Sequence, residues 1–454
     1  MSMMLSQAAQ AINGTLHGDD VAFSAVSTDT RTLEGGPLFV ALRGENFDAH
    51  DYLDQAAENG AIAALVERVV DVPIPQLVVE DTRAGLGQLA SVWRQMSDAT
   101  IVAVTGSNGK TTLKEMLKSI LQQKSEAVLA TRGNLNNDIG MPLTLLRLQD
   151  ETEAVIEMGA NHGGEIDYLS RIASPDVAVL NNAGRAHLEG FGSLEGVARA
   201  KAEIINGLKP GGTFVYNADS PWIELWQELA GGIKTMCFGT AADADVRCDM
   251  DSIHMAWTDS GFVNRFDVHT PSGPFEVDLK LAGDHNVMNA LAAIAVAVTL
   301  EMDSELIKAG LAKLEPVKGR LHSAKIGDAY VVDDSYNANP DSVEAAMRVL
   351  VSGPGEHYLV LGDLAELGDD EVEQHRLLGE KAREMGVDHL YAVGPLGKNT
   401  VDGFGKGGRH FSSHDELLEE LAKGVERECV VLIKGSRSAG MERIVEGLTN
   451  RGAD

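Results

Sequence analysis

Apolar positions along this chain follow two rhythms. Short continuous runs such as Ile101-Val102-Ala103-Val104, Ala154-Val155-Ile156 and Val177-Ala178-Val179-Leu180, with the segment Thr213 to Tyr216, predict strands buried on both faces. A strand with one wet face would alternate with polar residues instead. Leu113 to Gln122 and Asn286 to Thr299 predict helices between such strands. Strand and helix in turn predict a mainly parallel sheet, in which ligands gather beyond the carboxyl ends of the strands.

The same rhythms divide the chain in three. Residues 1–98 carry short strands, Pro37 to Leu42 and Gln76 to Val79, alternating with alanine-rich helices over Tyr52 to Asn59 and Leu86 to Gln95, which predicts a small α/β domain. Residues 99–314 hold the buried strands, Ala154 to Glu157 among them, and a segment from Val246 to Leu281 that reads as a β-rich insertion. The stretch Glu315-Pro316-Val317-Lys318-Gly319-Arg320 is the expected hinge. Residues 315–454 repeat the alternation with Tyr330-Val331-Val332, Tyr358 to Leu361, His389 to Val393 and Val430 to Ile433, a second, Rossmann-like sheet. The expected fold class is α/β in three domains: a small N-terminal domain, a central phosphate-loop domain and a C-terminal Rossmann-like domain.

The first central strand runs into Thr105-Gly106-Ser107-Asn108-Gly109-Lys110-Thr111-Thr112, and a helix follows at once. Two glycines let backbone N–H groups curl round phosphate oxygens, Lys110 can reach the terminal phosphates, and Thr111 can offer a hydroxyl to Mg²⁺ at the positive end of the helix. The pattern is G-x-x-G-K-T; the longer Walker form would have glycine at the position of Val104. An ATP-like ligand is the expected occupant, the plain alternative being an ordinary strand-to-helix turn.

Composition narrows the partners. Against 38 basic residues stand 68 acidic ones, a net charge of −30 that opposes nucleic acid or an anionic membrane as the main partner. With 44% hydrophobic residues and 48 glycines the chain suits a soluble α/β protein, and no apolar run reaches the roughly 20 residues of a membrane span. The opening Met1-Ser2-Met3-Met4-Leu5-Ser6-Gln7 lacks the basic end and long apolar core of a secretory signal. Cys237, Cys248 and Cys429 have neither metal-ligand nor disulfide spacing, so a reducing cytoplasm is expected.

Glu157 closes a buried strand, an uncommon place for a carboxylate unless it faces a site, and Asn181-Asn182-Ala183-Gly184-Arg185-Ala186-His187 follows the next strand. A carboxylate and an imidazole would then border the phosphate loop. Mg²⁺ needs only one or two protein ligands besides substrate phosphates; the alternative for His187 is a hydrogen-bonded loop residue. Lys201 falls on the apolar stripe Leu194, Val197, Ala198, Ile205 and Leu208 of a helix expected around Ser193 to Leu208. Either its stem snorkels at the helix edge, or it is partly buried with a lowered pKa. In the second case the neutral amine can react with CO₂ to give a carbamate suited to a second Mg²⁺.

Several segments together resemble the Mur ligases, the ATP-dependent amide-forming enzymes of peptidoglycan precursor synthesis. They are the loop Thr105 to Thr112, Thr131-Arg132-Gly133-Asn134-Leu135-Asn136-Asn137, Glu157-Met158-Gly159, His187, Lys201-Ala202-Glu203, Gly283-Asp284-His285-Asn286-Val287-Met288-Asn289, Gly319-Arg320 and Asp334. Asp334 to Pro340, Leu361 to Gly368 and Lys434-Gly435-Ser436-Arg437 are similar to the members that join D-alanyl-D-alanine to UDP-N-acetylmuramoyl-tripeptide. The Asp-Asn-Pro-Arg motif typical of the sister enzymes that add meso-diaminopimelate is absent.

The resemblance implies the remaining roles. ATP would bind between the second and third domains on Thr105, Gly106, Ser107, Asn108, Gly109, Lys110, Thr111 and Thr112, with Asn289 at the adenine and Arg320 and Asp334 as further nucleotide contacts. Thr111, Glu157 and His187 would hold Mg²⁺ and carbamylated Lys201 a second ion; Lys110, Glu157, His187 and Lys201 form the implied catalytic set. Ser27, Asp29, Thr30, Arg31, Gly44 and Asn46 would hold the UDP end, although Ala49 stands nearby where many relatives have glycine. Asn137 is a further substrate contact, and Asn339, Pro340, Ser436 and Arg437 are candidates for the dipeptide pocket. A monomer is the usual form of the family. Folylpolyglutamate synthases share the ATPase core but are not expected to carry the first-domain segment or the Tyr336 to Pro340 signature. A nucleotide switch without ligation leaves Glu157, His187 and Lys201 together unexplained.

Overall fold

The computed structural model describes residues 1–186, 188–258, 261–315, 317–425 and 427–451. His187 and Pro316 therefore lie outside the described residues. Three parallel-rich sheets follow one another along the chain. The first runs in the order Thr15–His17, Gln76–Val78, Ala63–Val66, Leu38–Val40, Val26–Ser27, and only its first pair is antiparallel. The third runs His322–Ile326, Ala329–Asp334, Cys429–Lys434, Glu356–Gly362, His389–Val393, Gly408–Phe411, again with only the first pair antiparallel.

The central sheet has ten strands. Val128–Ala130, Glu153–Glu157, Thr100–Thr105, Val177–Leu180, Thr213–Asn217, Lys234–Gly239 and Val246–Cys248 run parallel in that order. The segment from Val246 to Leu281 is β-rich, as expected, and its strands continue this sheet. Val246 pairs with Phe238, and Gly261–Thr270 then pairs antiparallel with Val246–Cys248, with His254–Thr258 and Gly273–Leu279. From His254 to Leu279 the strands follow one another closely in the chain, which suits antiparallel pairing, whereas continued parallel pairing would need a long crossover each time.

Packing ties the three units together. Helix Thr82–Gln95 starts at Asp81, whose carboxylate accepts the Arg83 and Ala84 N–H groups. It ends the first unit but buries itself against the second: Trp93 Nε1 donates to the Leu148 carbonyl at 2.9 Å and Arg94 Nε to the Ala173 carbonyl at 3.0 Å. One apolar core consequently runs from Leu5 and Phe23 through Trp93 to Ile101, Ile156 and Trp226. On the other face of the central sheet lie helices Lys110–Leu121 and Asp284–Thr299. The second of these is buried continuously from Asn289 to Ala297, and its all-round apolar surface follows from that enclosure. At the far end of the sheet Trp257 stands edge-on to Phe262 and Tyr330, with ring centres 4.4 and 5.0 Å away, so the third unit meets the second along an aromatic seam. Among the described residues no helix is long and apolar enough to cross a membrane.

Candidate active site

Strand Thr100–Thr105 lies between Glu153–Glu157 and Val177–Leu180, with Val104 opposite Glu157 and Thr105 opposite Leu180. The loop that leaves it is therefore flanked by Glu157 on one side and Asn181 and Asn182 on the other, at the reversal of strand order where α/β sheets bind ligands. Gly109, with φ +77°, leads into helix Lys110–Leu121, and a β-carbon there would lie 2.3 Å from Asn289 Oδ1. Only glycine satisfies both the left-handed backbone and that approach. The Asn181 amide bridges the Asn108 carbonyl at 3.0 Å and Asn289 Oδ1 at 2.7 Å, while Asn182 Oδ1 accepts the Asn108 N–H at 2.8 Å. Lys110 Nζ folds back onto its own loop and donates to the carbonyls of Gly106 at 2.7 Å and Ser107 at 3.3 Å. Burial lowers its pKa; Glu157 opposes that shift and Arg320 adds to it.

Glu157 is 2% exposed, and both its oxygens are spoken for. Thr111 Oγ1 donates to Oε2 at 3.0 Å and Asn136 Nδ2 to Oε1 at 2.8 Å. Its backbone N–H donates to Thr131 Oγ1 at 2.9 Å, and the Thr131 carbonyl takes the buried Lys114 ammonium at 2.8 Å. A hydroxyl and a carboxylate side by side at the start of the phosphate-loop helix are hard oxygen donors and fit Mg²⁺, which takes its other ligands from water and phosphate. Among the described residues no group of three or more His, Cys, Asp and Glu side chains could hold a metal ion.

Lys201 is 1% exposed, so its stem does not snorkel. It lies near the end of helix Leu194–Ala202, which stops short of Leu208 and passes into the tight turn Glu203–Gly207. Nζ donates to the Ala160 carbonyl at 3.3 Å and sits 5.1 Å from the centre of the Phe191 ring. Burial, helped by the charge of Lys110 and opposed by Glu165 and Glu203, pushes its pKa down to about 7. Leu194, expected on the buried stripe, is 41% exposed because it is the first helical residue and has no preceding turn to lie over.

The loop, Glu157 and Ala160 line a cleft of about 500 Å³ whose opposite wall comes from the third unit. There Asp334 and Lys434 end adjacent parallel strands in register, and Lys434 Nζ reaches Asp334 Oδ2 at 2.6 Å and the Asn337 carbonyl at 2.9 Å. Burial pushes the Asp334 carboxyl up, against the pull of Lys434. The Arg320 guanidinium lies 4.4 Å from the Tyr336 ring centre and donates to Thr111 Oγ1 at 3.1 Å. His285 also lines this cleft, its pKa pushed down to about 4 by burial and by the charges of Lys434 and Arg348, so it is neutral near pH 7. Ser107, Asn108, Thr112, Asn137 and Asn289 line the cleft as well. Thr105 and Gly106 do not; the Thr105 hydroxyl donates to the Met158 carbonyl at 2.9 Å and ties two strand ends together.

A second cleft of about 300 Å³ adjoins the first and is lined by Arg185, Asn337, Asn339, Glu366, Ser436 and Arg437, among others. Asn339 belongs to both walls: its Oδ1 accepts the Ser342 N–H at 2.9 Å and so caps helix Pro340–Val351, while its Nδ2 donates to Asn108 Oδ1 at 2.8 Å. Ser436 Oγ donates to the Asp363 carbonyl at 2.7 Å, and the Arg437 side chain is 67% exposed. Pro340 lines neither cleft; it is buried as the first residue of its helix, where a missing N–H costs nothing. In the first unit, Arg31 and Asp29 pair through two bonds of 2.9 and 2.8 Å, Ser27 Oγ accepts the Asp29 N–H at 3.1 Å, and Thr30 Oγ1 donates to Gln55 Oε1 at 3.2 Å. Gly44 and Asn46 belong to a separate hairpin, Arg43–Gly44 with Phe47–Asp48. None of these first-unit residues lines either cleft.

Comparison with known proteins agrees with this layout. Three family descriptions match in chain order: the Mur ligase family catalytic domain over residues 22–94, the Mur ligase middle domain over 104–297 and the Mur ligase glutamate ligase domain over 319–437. UDP-N-acetylmuramoyl-tripeptide–D-alanyl-D-alanine ligase of Escherichia coli K12 is 46% identical over 460 residues, covering 100% of this chain and 99% of the relative. The chain belongs to the Mur ligase family. A crystal structure of MurF from Acinetobacter baumannii matches this Mur ligase with a TM-score of 0.92 and 38% identity over 99% of both chains. MurF ligase from Thermotoga maritima, solved in complex with ADP, matches with a TM-score of 0.84 and 31% identity over 94% of this Mur ligase and 98% of that chain.

Proposed function

We propose that this Mur ligase joins D-alanyl-D-alanine to UDP-N-acetylmuramoyl-tripeptide, converting ATP to ADP and phosphate, as a cytoplasmic monomer. The observation that carries the reading is the pair of adjoining clefts. One holds the phosphate loop with Glu157, the other Ser436 and Arg437. Identity of 46% to the Escherichia coli tripeptide ligase over the full length supports the choice of substrates. Residues 1–98 take the UDP end through Ser27, Asp29, Thr30, Arg31, Gly44 and Asn46, residues 99–314 take ATP, and residues 315–454 take the dipeptide.

A carboxylate is a poor acyl donor until one of its oxygens becomes part of a good leaving group. The terminal carboxylate of the tripeptide attacks the γ-phosphorus in line, the bond to ADP breaks, and an acyl phosphate forms. Lys110 and the loop N–H groups take up the charge that spreads over the transferred group. Asn289, Arg320 and Asp334 hold the nucleotide across the cleft. Thr111, Glu157 and His187 would hold Mg²⁺ and carbamylated Lys201 a second ion, and metal bound there neutralises phosphate charge. Asn136 keeps the Glu157 carboxylate turned toward the loop. In the adjoining cleft Arg437 pairs with the carboxylate of the dipeptide, and Asn339 and Ser436 shape its seat. The free amine then adds to the acyl carbonyl; the tetrahedral centre collapses, the bond to phosphate breaks and the amide remains.

Phosphate release from ATP and Mg²⁺, measured with UDP-N-acetylmuramoyl-tripeptide with and without D-alanyl-D-alanine, tests the reading. Release that needs both substrates and gives the pentapeptide by mass is expected. Release driven instead by the UDP-linked dipeptide with free diaminopimelate, or no release with either acceptor, overturns it.

A further inference from the structure

The wall between the two clefts is polar, and one carboxylate organises it. Asp341, in the first turn of helix Pro340–Val351, accepts the Arg185 backbone N–H on Oδ2 at 2.7 Å and Arg185 Nε on Oδ1 at 2.6 Å. Arg185 Nη2 continues to Glu344 Oε1 on the same helix at 2.8 Å. The approach is so close that a β-carbon on Gly184 would lie 2.7 Å from Asp341 Oδ2. Gly184 in turn holds the phosphate loop: its N–H donates to Ser107 Oγ at 2.9 Å, and Ser107 Oγ donates to its carbonyl at 3.2 Å. One residue before the helix, Asn339 reaches Asn108 of the same loop. Asp341 lines the first cleft and Arg185 the second.

We propose that Asp341 and Arg185 are positioning residues for the ligation, fixing the phosphate loop and the dipeptide cleft in one frame so that the amine meets the acyl phosphate before water does. The inference rests on the ligase reading above. The pair acts through Gly184 and Ser107 on one side and through the Arg185 face of the second cleft on the other. Charge-assisted, two-point bonds suit this task because they fix angle as well as distance. When the frame slackens, the acyl phosphate outlives the moment at which the amine is in place. Water then adds to the acyl carbonyl and the bond between the acyl carbon and the phosphate oxygen breaks; the water's oxygen stays in the tripeptide carboxylate, the bridging oxygen leaves with inorganic phosphate, and the water's protons pass to phosphate and solvent.

The test is a double-mutant cycle on the full chain, with Asp341→Asn, Arg185→Ala and the pair of changes together, reading amide product and phosphate in the same reaction. We expect each single change to lower kcat about ten-fold, the scale for losing a charge-assisted hydrogen bond, while KM for ATP stays within about two-fold. Phosphate released per amide formed rises above one, and the double variant is no worse than either single one. Arg185→Lys, which keeps the charge but not the two-point geometry, falls between wild type and Arg185→Ala. Strictly multiplicative losses, or a phosphate-to-amide ratio that stays at one in every variant, overturn the proposal. If Asp341→Asn does not fold, Arg185→Lys and Arg185→Ala decide by the same ratio. Failure of the ligase reading is separate, since it shows as wild-type protein making no amide at all.

Discussion

Arg320 of the third unit donates to the Thr111 hydroxyl at 3.1 Å, and that hydroxyl donates to Glu157 at 3.0 Å. A guanidinium from one side of the cleft and a carboxylate from the other thus meet on a single oxygen of the phosphate loop. The chain of two bonds is directional, each polarising the next, and Tyr336 holds the guanidinium plane in place. Arg320→Ala removes both the bond and the stacked ring partner. KM for ATP is expected to rise about ten-fold in steady-state assays, more than kcat falls, and Arg320→Lys recovers little because an ammonium reproduces neither the fork nor the stacking. Equal KM in wild type and Arg320→Ala refutes the contact's role.

The hydrogen bonds of Lys110 Nζ go to the carbonyls of its own loop. Lys110→Ala should keep the circular-dichroism spectrum of the wild type while ATP turnover falls by at least about 10³-fold, the scale on which a cation matters in phosphoryl transfer. Turnover near the wild-type rate would remove the phosphate loop from the mechanism.

Asn136 supplies one of the two donors that orient Glu157. Asn136→Ala leaves Oε1 without its partner and lets the carboxylate turn. Activity at fixed ATP is expected to drop about ten-fold and to return in part as Mg²⁺ is raised, because a loosened ligand weakens metal binding more than it removes it. A Mg²⁺ titration superimposable on that of wild type contradicts this.

Lys201 has a folded-state pKa of about 7, below the ordinary lysine value. Between that pH and roughly 10 the unfolded chain binds a proton that the folded chain does not, so folding stability rises with pH across the window; below it both states are protonated and the full cost of the buried charge remains. Denaturant titrations of wild type and Lys201→Met at a series of pH values should therefore show the variant's advantage shrinking as pH rises. The neutral fraction of the amine grows over the lower part of the same range, and activity stimulated by bicarbonate should grow with it. Lys201→Ala is expected to be inactive and to be rescued by a short carboxylic acid; full activity without rescue excludes the carbamate.

The phosphate loop and Glu157 were legible because a parallel sheet exposes its strand ends, and local apolar runs show where those ends are. Pairing across long stretches of chain was not. Asn181 and Asn289 are 108 residues apart and Asp334 and Lys434 are 100 apart, so nothing in their spacing reveals that they touch. Periodicity placed Lys201 on the inward stripe but left open whether the amine reached water, a question answered by the Ala160 carbonyl above it. The strands after Val246 were readable as strands, yet local pattern carries no information on which sheet they join. Pro340 stands inside a motif-like segment at the start of a helix, where local backbone chemistry already favours proline.

The ring contacts of Trp257 with Tyr330 and Phe262 lie where the central sheet runs out, and Gly353 of the third unit packs against the same indole. A unit joined to its neighbour by a lone linker could drift in any direction. One whose flank is wedged against an indole turns at low cost only about that flank, because sliding would strip apolar surface from three rings at once.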